Sequence, residues 1–440
     1  MFSKYVQRRL ERYVKKYFKT HSPTLIAVVG SAGKTTTKTA IATALSRHYR
    51  IQLEPGNHNT PLSVPLAIMG VKYPPMEMVH SIGTWRQVFK AMKQRVKAPQ
   101  GLDVIIQELA TDHPGDLAVY RRYLRPDITV VTSVAPEHME NFPGGLADVA
   151  REELSMAAGS NLTIVNHDDI DASFAQYADT NNITDYGIDG GEYRIEVLGG
   201  SPLDGYQVAF YGPELNGQVA TTTVHVVGNH MLKAVCAAFT VGIRMGVPVN
   251  ELMQTLAEIR PVEGRMNPLA GRNGSTLIDD SYNAAPTTVI AALETLYQIE
   301  APQRIAILGS MNELGNFSAT GHQQVGQYCD PMMLDWVITI GDAAGQWLAP
   351  AAAKSGCQVR SFPDPVAAGT FANQVLEKGA VVLIKGSQNG VFSEEATKVL
   401  LANVSRDSDK LVRQSDYWTK RKQDWFGQLS HQDESRLGDE

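Results

Sequence analysis

Along the first residues of the chain, Phe2, Tyr5, Val6, Leu10, Tyr13, Val14, Tyr17 and Phe18 recur at three- and four-residue steps. Lys4, Arg8, Arg9, Arg12, Lys15, Lys16 and Lys19 fill the opposite side. The spacing predicts a basic amphipathic helix over residues 1–22. Such a helix either lies on an anionic membrane surface or packs its aromatic stripe against its own domain or a second subunit as a homodimer. From Pro23 onward short apolar runs alternate with helical segments. Leu25 to Val29, Val104 to Glu108 and Ile128 to Val131 read as strands of a parallel sheet, with ligand sites expected at their carboxyl ends. After Asn161 the texture changes to alternating runs, Tyr193 to Val197, Tyr206 to Phe210 and Val219 to Val227, split by Gly-Gly, Asp-Gly and Asn-Gly turns, which predicts an antiparallel β insertion. Helical character returns over Gly228 to Met245, and Arg260 to Arg265 reads as a hinge. A second α/β unit follows, with strands at Thr276 to Asp279, Arg304 to Leu308, Trp336 to Ile340 and Val381 to Ile384. The expected division is therefore a helix over 1–22, a central domain over 23–262, a C-terminal α/β domain over 263–407, and a polar tail or terminal helix over 408–440.

Bulk properties narrow the class. A chain of 440 residues is long enough for about three domains. Hydrophobic residues at 43% and charged residues at 20% suit a globular enzyme, and a net charge of -6 argues against a nucleic-acid partner. Cys236, Cys329 and Cys357 form neither a close pair nor an even set, so a reducing cytoplasm is the expected compartment. No apolar run is long enough to cross a bilayer, and the N-terminus carries no secretory signal.

The chemistry is concentrated after the first strand. Val29-Gly30-Ser31-Ala32-Gly33-Lys34-Thr35-Thr36-Thr37 reads as strand, glycine-hinged loop and helix start. Backbone N–H groups of such a loop converge on phosphate oxygens, Lys34 neutralises the outer phosphates, and the Thr35 hydroxyl can ligate Mg²⁺. ATP is the expected ligand. The loop is a short form, because Val28 stands where the first glycine of the longer phosphate-loop pattern would be. Glu108 ends the next strand and places a carboxylate where the Mg²⁺ would sit. His138, in Pro136-Glu137-His138-Met139, falls on the same sheet edge. In the second α/β unit, Asp279-Asp280-Ser281-Tyr282-Asn283 puts carboxylates, a tyrosine and an asparagine at a strand end, suited to ribose hydroxyls, a base edge or an amine. Ile384-Lys385-Gly386-Ser387 presents a lysine and small polar groups after the last strong strand.

Together with Gly56-Asn57-His58-Asn59, Glu108 followed by His113-Pro114-Gly115-Asp116, Gly264-Arg265, Asp279 to Pro286, and Leu308-Gly309-Ser310-Met311-Asn312-Glu313-Leu314-Gly315, these segments resemble the Mur ligases. The resemblance runs in order from about residue 23 to 400. It is nearest to the branch that adds D-alanyl-D-alanine to UDP-N-acetylmuramoyl-tripeptide. It implies a P-loop central domain and a Rossmann-like C-terminal domain. The implied activity is ATP-dependent amide ligation, in which a substrate carboxylate takes up the γ-phosphoryl group and the resulting acyl phosphate is attacked by an amino acid or dipeptide amine. By the resemblance, Gly30, Ser31, Gly33, Lys34, Thr35 and Thr36 hold the phosphates, with His230, Arg265, Asp280 and Asn283 completing the nucleotide site. Thr35 and Glu108 bind one Mg²⁺ and His138 a second, while Asn57, Asn59, His113, Tyr282, Lys385 and Ser387 meet the substrates.

Three departures from the family pattern stand out. Only 29 residues precede Gly30, where members of this branch carry a uridine-nucleotide-binding domain. Either the basic helix with a second subunit replaces that domain, or the acceptor is not held through a uridine diphosphate. Arg151 occupies the position of a lysine that is carbamylated in many Mur ligases. An always-charged guanidinium cannot take up CO₂, so the expectation is that Glu152 or Glu153 supplies the negative charge, or that Arg151 touches the acyl phosphate. Met231 and Ala234 stand where asparagines usually read the adenine. Two further readings remain beside the leading one: a ligase of the folylpolyglutamate or polyamino-acid type acting on a non-UDP acceptor, and a regulatory P-loop ATPase bound to a membrane or partner through its basic helix.

Overall fold

The computed structural model describes residues 2–54, 59–98, 101–136 and 139–437. Asn57 and His138, both expected at the site, lie outside the described residues. Among those described, the chain builds two sheets. The larger has nine strands in the spatial order Ile51–Leu53, Val104–Glu108, Thr24–Val29, Ile128–Val131, Leu162–Asn166, Ile183–Gly187, Tyr193–Ser201, Gly205–Tyr211 and Ala220–Val224. The first seven run parallel and the last two are antiparallel. The alternating segment expected as an insertion is thus a continuation of the same sheet. Tyr186 pairs Tyr193 and welds the hairpins to the parallel strands. Alternation still reports the local environment: Tyr193 and Ile195 are buried while Arg194 and Glu196 are exposed.

Thr24–Val29 sits between the strand that follows it by a crossover on one side, Val104–Glu108, and Ile128–Val131 on the other. Its carboxyl end is the switch point of a doubly wound sheet, the place where such sheets open a crevice for ligands. Gly30 is the first residue beyond it. The strand is buried on both faces from Leu25 to Val29, which is why its sequence is a continuous apolar run.

The smaller sheet has the order Asn267–Ala270, Thr276–Asp280, Val381–Lys385, Arg304–Gly309, Trp336–Ile340 and Val359–Phe362, with only the first strand antiparallel. The last strand in sequence, Val381–Lys385, slots between the two earlier ones and brings Lys385 level with both Asp280 and Leu308. A pairing of residues so far apart in sequence is set by topology and has no local signal.

The N-terminal helix, Phe2–Thr20, buries Val6, Leu10, Val14 and Tyr17 in the core of the larger-sheet unit. Its apolar stripe is therefore occupied by its own domain, against helix Ile82–Lys97, and Arg9 lies 4.2 Å from the Phe89 ring. The polar C-terminal stretch forms the helix Asp416–Leu437. It is docked: Lys422 pairs Glu394 at 3.0 Å, and the Trp425 ring stands edge-on to Phe392 at 5.3 Å.

Candidate active site

The phosphate loop forms one wall of a cleft of 730 Å³. Gly30 adopts φ 127°, and a Cβ there would come within 2.3 Å of the Thr132 hydroxyl, so no other residue fits. The Gly30 N–H donates to the buried Glu153 carboxylate at 2.8 Å, and the Ala32 N–H donates to the Ser133 hydroxyl at 2.8 Å. These bonds fix the loop from beneath. Lys34 opens helix Lys34–Leu45 and folds its ammonium onto the carbonyls of Gly30 and Ser31. One residue on, the Thr35 hydroxyl donates to Glu108 at 2.9 Å, and Lys38 reaches the same carboxylate at 3.2 Å.

Thr35 and Glu108 fit a Mg²⁺ ion on their chemistry. Both offer hard oxygens, they lie side by side at the mouth of the phosphate loop, and Mg²⁺ takes only one or two protein oxygens when phosphates and water supply the rest. Lys38 matters here because it already partly neutralises Glu108, so this carboxylate is shared between an ammonium and any bound cation.

The opposite wall comes from the smaller sheet. Asp280 ends its strand and Lys385 ends the neighbouring one, and the two form a buried ion pair of 2.7 Å. Both partners carry a further bond: Lys385 also donates to the Asn283 carbonyl at 2.9 Å, and the Asp280 carboxylate accepts the Met266 N–H at 3.2 Å. Such extra hydrogen bonds are what make a buried pair tolerable. Arg265 stacks on the Tyr282 ring at 4.1 Å and spans the cleft to donate to Thr35 at 3.1 Å. Its Nε is buried without a partner. Behind Tyr282, Arg413 donates to the Tyr282 carbonyl at 3.0 Å and pairs both oxygens of Glu394 at 2.9 and 2.6 Å. That network holds the Tyr282 backbone in place.

Between the walls, His230, Met231, Lys233 and Ala234 line the cleft together with Asn166 and Tyr186. Burial pulls the His230 imidazole down to about 4, against the opposing pull of Asp280. At neutral pH it is therefore uncharged and presents one donor and one acceptor. Lys233 pairs Asp169 at 2.7 Å, and Asn166 bridges Asp169 to the Thr132 carbonyl at 2.7 and 2.8 Å. Deeper in the smaller sheet, burial pushes the Asp279 carboxyl up to about 7.

Of the residues expected at the site, Ser31, Gly33, Lys34, Thr35, Thr36, Asn59, Glu108, His230, Arg265, Asp280, Tyr282, Asn283 and Lys385 line this cleft. Gly30 sits just behind the lining, holding the loop on Glu153, and three others, Arg151, Ser387 and His113, stand off the cleft. Arg151 turns away from it: the exposed guanidinium pairs Asp148 at 2.6 Å and lies over the Tyr177 ring at 4.9 Å. Glu152 is engaged at the start of helix Asp116–Arg121, accepting the N–H groups of Gly115 and Leu117 at 2.8 Å each, and Glu153 holds Gly30. Ser387 is fully buried, donating to the Ala284 carbonyl at 3.2 Å and accepting the Asn312 N–H at 2.9 Å; it braces the loop after Lys385 and does not face a substrate. His113 is exposed near Asp116 at 3.9 Å, beyond the lining residues. Sequence reasoning missed Lys38, Lys233, Asp169 and Arg413. Only Lys38 had a local signal, one helical turn after Lys34 on the same face.

Comparison with known proteins accounts for both halves. Residues 28–242 match the Mur ligase middle domain, and residues 264–388 match the Mur ligase glutamate ligase domain. The chain belongs to the Mur ligase family, the ATP- and Mg²⁺-dependent carbon–nitrogen ligases. It is 24% identical over 396 residues to the UDP-N-acetylmuramoyl-tripeptide–D-alanyl-D-alanine ligase of Bacillus subtilis, covering 89% of this chain and 79% of that one. Among solved structures, MurF ligase from Thermotoga maritima in complex with ADP superimposes with a TM-score of 0.73 at 22% identity, over 92% of this chain and 84% of the other. Folylpolyglutamate synthase from Thermotoga maritima follows the same fold with a TM-score of 0.59 at 14% identity, over 91% and 92% of the two chains. No described helix is long and apolar enough to cross a membrane.

Proposed function

We propose that this chain adds D-alanyl-D-alanine, or a closely similar dipeptide, to the terminal carboxylate of a muramoyl peptide precursor. The observation that carries the reading is the single cleft in which the phosphate loop faces Arg265, Tyr282 and the Asp280–Lys385 pair. One wall has the donors to grip a triphosphate, and the other has the charged groups to hold a carboxylate or amine beside it. The relatives that span most of this chain act on UDP-N-acetylmuramoyl-tripeptide and D-alanyl-D-alanine by name, which favours those substrates over the folylpolyglutamate alternative.

In this reading Lys34 and the loop N–H groups hold the outer phosphates, and Thr35 with Glu108 would hold Mg²⁺, whose charge offsets that of the phosphates. Arg265 reaches the same point from the other wall. The acceptor carboxylate oxygen attacks the γ-phosphorus, the bond to the ADP oxygen breaks, and the dipeptide amine then displaces phosphate from the acyl carbon, losing its proton. The work asked of the protein is alignment and charge neutralisation. His230, uncharged, serves as a hydrogen-bond partner for the base and adds no positive charge.

The test is ADP release by the full chain with UDP-N-acetylmuramoyl-tripeptide and D-alanyl-D-alanine, each alone and together, beside dihydrofolate with glutamate. ADP release that requires both muramoyl acceptor and dipeptide is the expected result. Release driven by folate and glutamate, or steady hydrolysis with neither substrate, would overturn the reading.

A further inference from the structure

The helix Phe2–Thr20 carries Lys4, Arg8, Arg9, Arg12, Lys15, Lys16 and Lys19 against one acidic residue, Glu11. Helix Ile82–Lys97, on which it packs, adds Arg86, Lys90, Lys93, Arg95 and Lys97 with no acidic residue at all. The two run parallel, because Arg9 meets Phe89 near the middle of each helix and His21, just past the end of the first, meets the Val96 carbonyl near the end of the second. Together they hold twelve of the 40 lysines and arginines but one of the 46 aspartates and glutamates. The pair is therefore at +11 and the rest of the chain at -17. A charge separation this strong in a protein of modest net charge is a fixed orientation device.

Two features decide what such a face would meet. Along the outer side of the first helix runs a groove lined by five cations, from Lys4 to Lys16, with Tyr5 and Tyr13 between them. At the shared N-terminal end of the pair, large apolar side chains stand in solvent: Phe2 is 41% exposed, Tyr5 56%, Met78 49% and Ile82 60%. A polyanion such as nucleic acid would be matched by the cations alone. An anionic bilayer is matched by both, with cations at the headgroups and the apolar tip in the acyl boundary.

We propose that the outward face of this helix pair is a docking surface for anionic phospholipid membranes, a peripheral contact distinct from the cleft. The core-facing stripe Val6, Leu10, Val14 and Tyr17 stays buried, so the contact needs no unfolding. Three residues join Thr20 to the strand starting at Thr24, the short connection typical of a helix that lies antiparallel to its strand in an α/β layer. The apolar tip thus lies toward the same sheet edge as the phosphate loop, and the -17 remainder is turned away by repulsion. Docking would set the cleft close to the lipid surface, with the acidic bulk of the protein pointing into solvent.

The experiment is co-sedimentation of the full chain with phosphatidylcholine vesicles, with and without phosphatidylglycerol, beside a duplex DNA competitor and a measurement of oligomeric state. Binding only to the phosphatidylglycerol vesicles, weakened by salt, is expected. The triple variant Arg8→Glu, Arg12→Glu, Lys90→Glu, all at exposed positions, should lose at least about fifty-fold in vesicle affinity while its circular dichroism and soluble ADP release stay unchanged. Tyr5→Ala with Ile82→Ala should lose about three- to tenfold. Equal binding to neutral vesicles, binding that survives the triple reversal, tighter binding to DNA than to vesicles, or a charge-dependent dimer with no vesicle binding would each overturn the proposal.

Discussion

The two walls of the cleft are built on opposite principles. The phosphate wall is local in sequence: Gly30 to Thr36 is one run whose donors are backbone N–H groups between a strand and a helix, with Glu153 and Ser133 bracing the Gly30 and Ala32 N–H groups from beneath. The facing wall is assembled from residues far apart. Asp280 and Lys385 meet only because the last strand inserts beside an earlier one; Tyr282 follows closely after Asp280, and Arg265 and Arg413 are added from two further places in the chain. Charge follows the same division. Lys34 is half-exposed at the mouth of the loop, held by carbonyls alone, and free to turn to a phosphate. Lys385 is 4% exposed on its side chain and already committed to Asp280. One lysine is poised for a ligand, and the other holds the wall together.

The largest effect should come from separating these two lysines by what they break. Lys34→Ala removes the one side-chain cation of the phosphate loop, and ligation measured as ADP release should fall at least about a hundred-fold in kcat/KM for ATP. Its stability should change by less than about 1 kcal/mol, since the ammonium is only partly buried. Lys385→Ala should do the reverse in kind: it leaves the Asp280 carboxylate buried and unpaired, at a cost of about 3–5 kcal/mol, visible as an earlier urea unfolding midpoint. Combining Asp280→Asn with Lys385→Met should restore much of that loss, because no charge is then stranded. If Lys34→Ala destabilised the protein as much as Lys385→Ala, or if the double variant were worse than the single, the contrast between the walls would be wrong.

The same contrast explains how much was legible beforehand. The strand, loop and helix around Gly30 could be read from seven residues, because burial on both faces leaves an unbroken apolar run and a positive φ leaves glycine. Glu108 could be placed because it ends a strand next to that loop. Arg151 and Ser387 could not. Each sits near the right sheet edge in sequence, but direction is a tertiary property: Arg151 is drawn outward by Asp148 and Tyr177, and Ser387 inward by Ala284 and Asn312. The hairpins after Tyr193 were recognised as β structure from their alternation, yet their place at the edge of the parallel sheet rests on the Tyr186–Tyr193 pairing. Two residues of ladder leave no mark in composition. Likewise the N-terminal periodicity gave a helix and its two faces, and the choice between domain and membrane for the apolar face was made by the partner helix at Phe89.

A smaller effect sharpens the picture of the assembled wall. Asp279 stands next to Asp280 but on the opposite face of the strand, fully buried, with one oxygen accepting the Thr397 hydroxyl at 3.2 Å and the other without a partner. Burial holds its carboxyl up to about 7, whereas in the unfolded chain it titrates near ~4. Between those values the folded protein binds the proton that the unfolded chain has released, so this residue makes stability fall as pH rises. The penalty is complete above pH ~7 and absent below pH ~4. Asp279→Asn keeps the shape, removes the titration, and offers an amide N–H to the buried hydroxyl of Ser281. The variant should be more stable than the parent by on the order of 2 kcal/mol at alkaline pH, with the difference shrinking steadily toward pH ~4. Urea unfolding midpoints measured across that range decide it. A difference that is constant with pH, or that grows on acidification, would mean that Asp279 is ionised in the folded state and that the wall behind Asp280 carries a second buried charge.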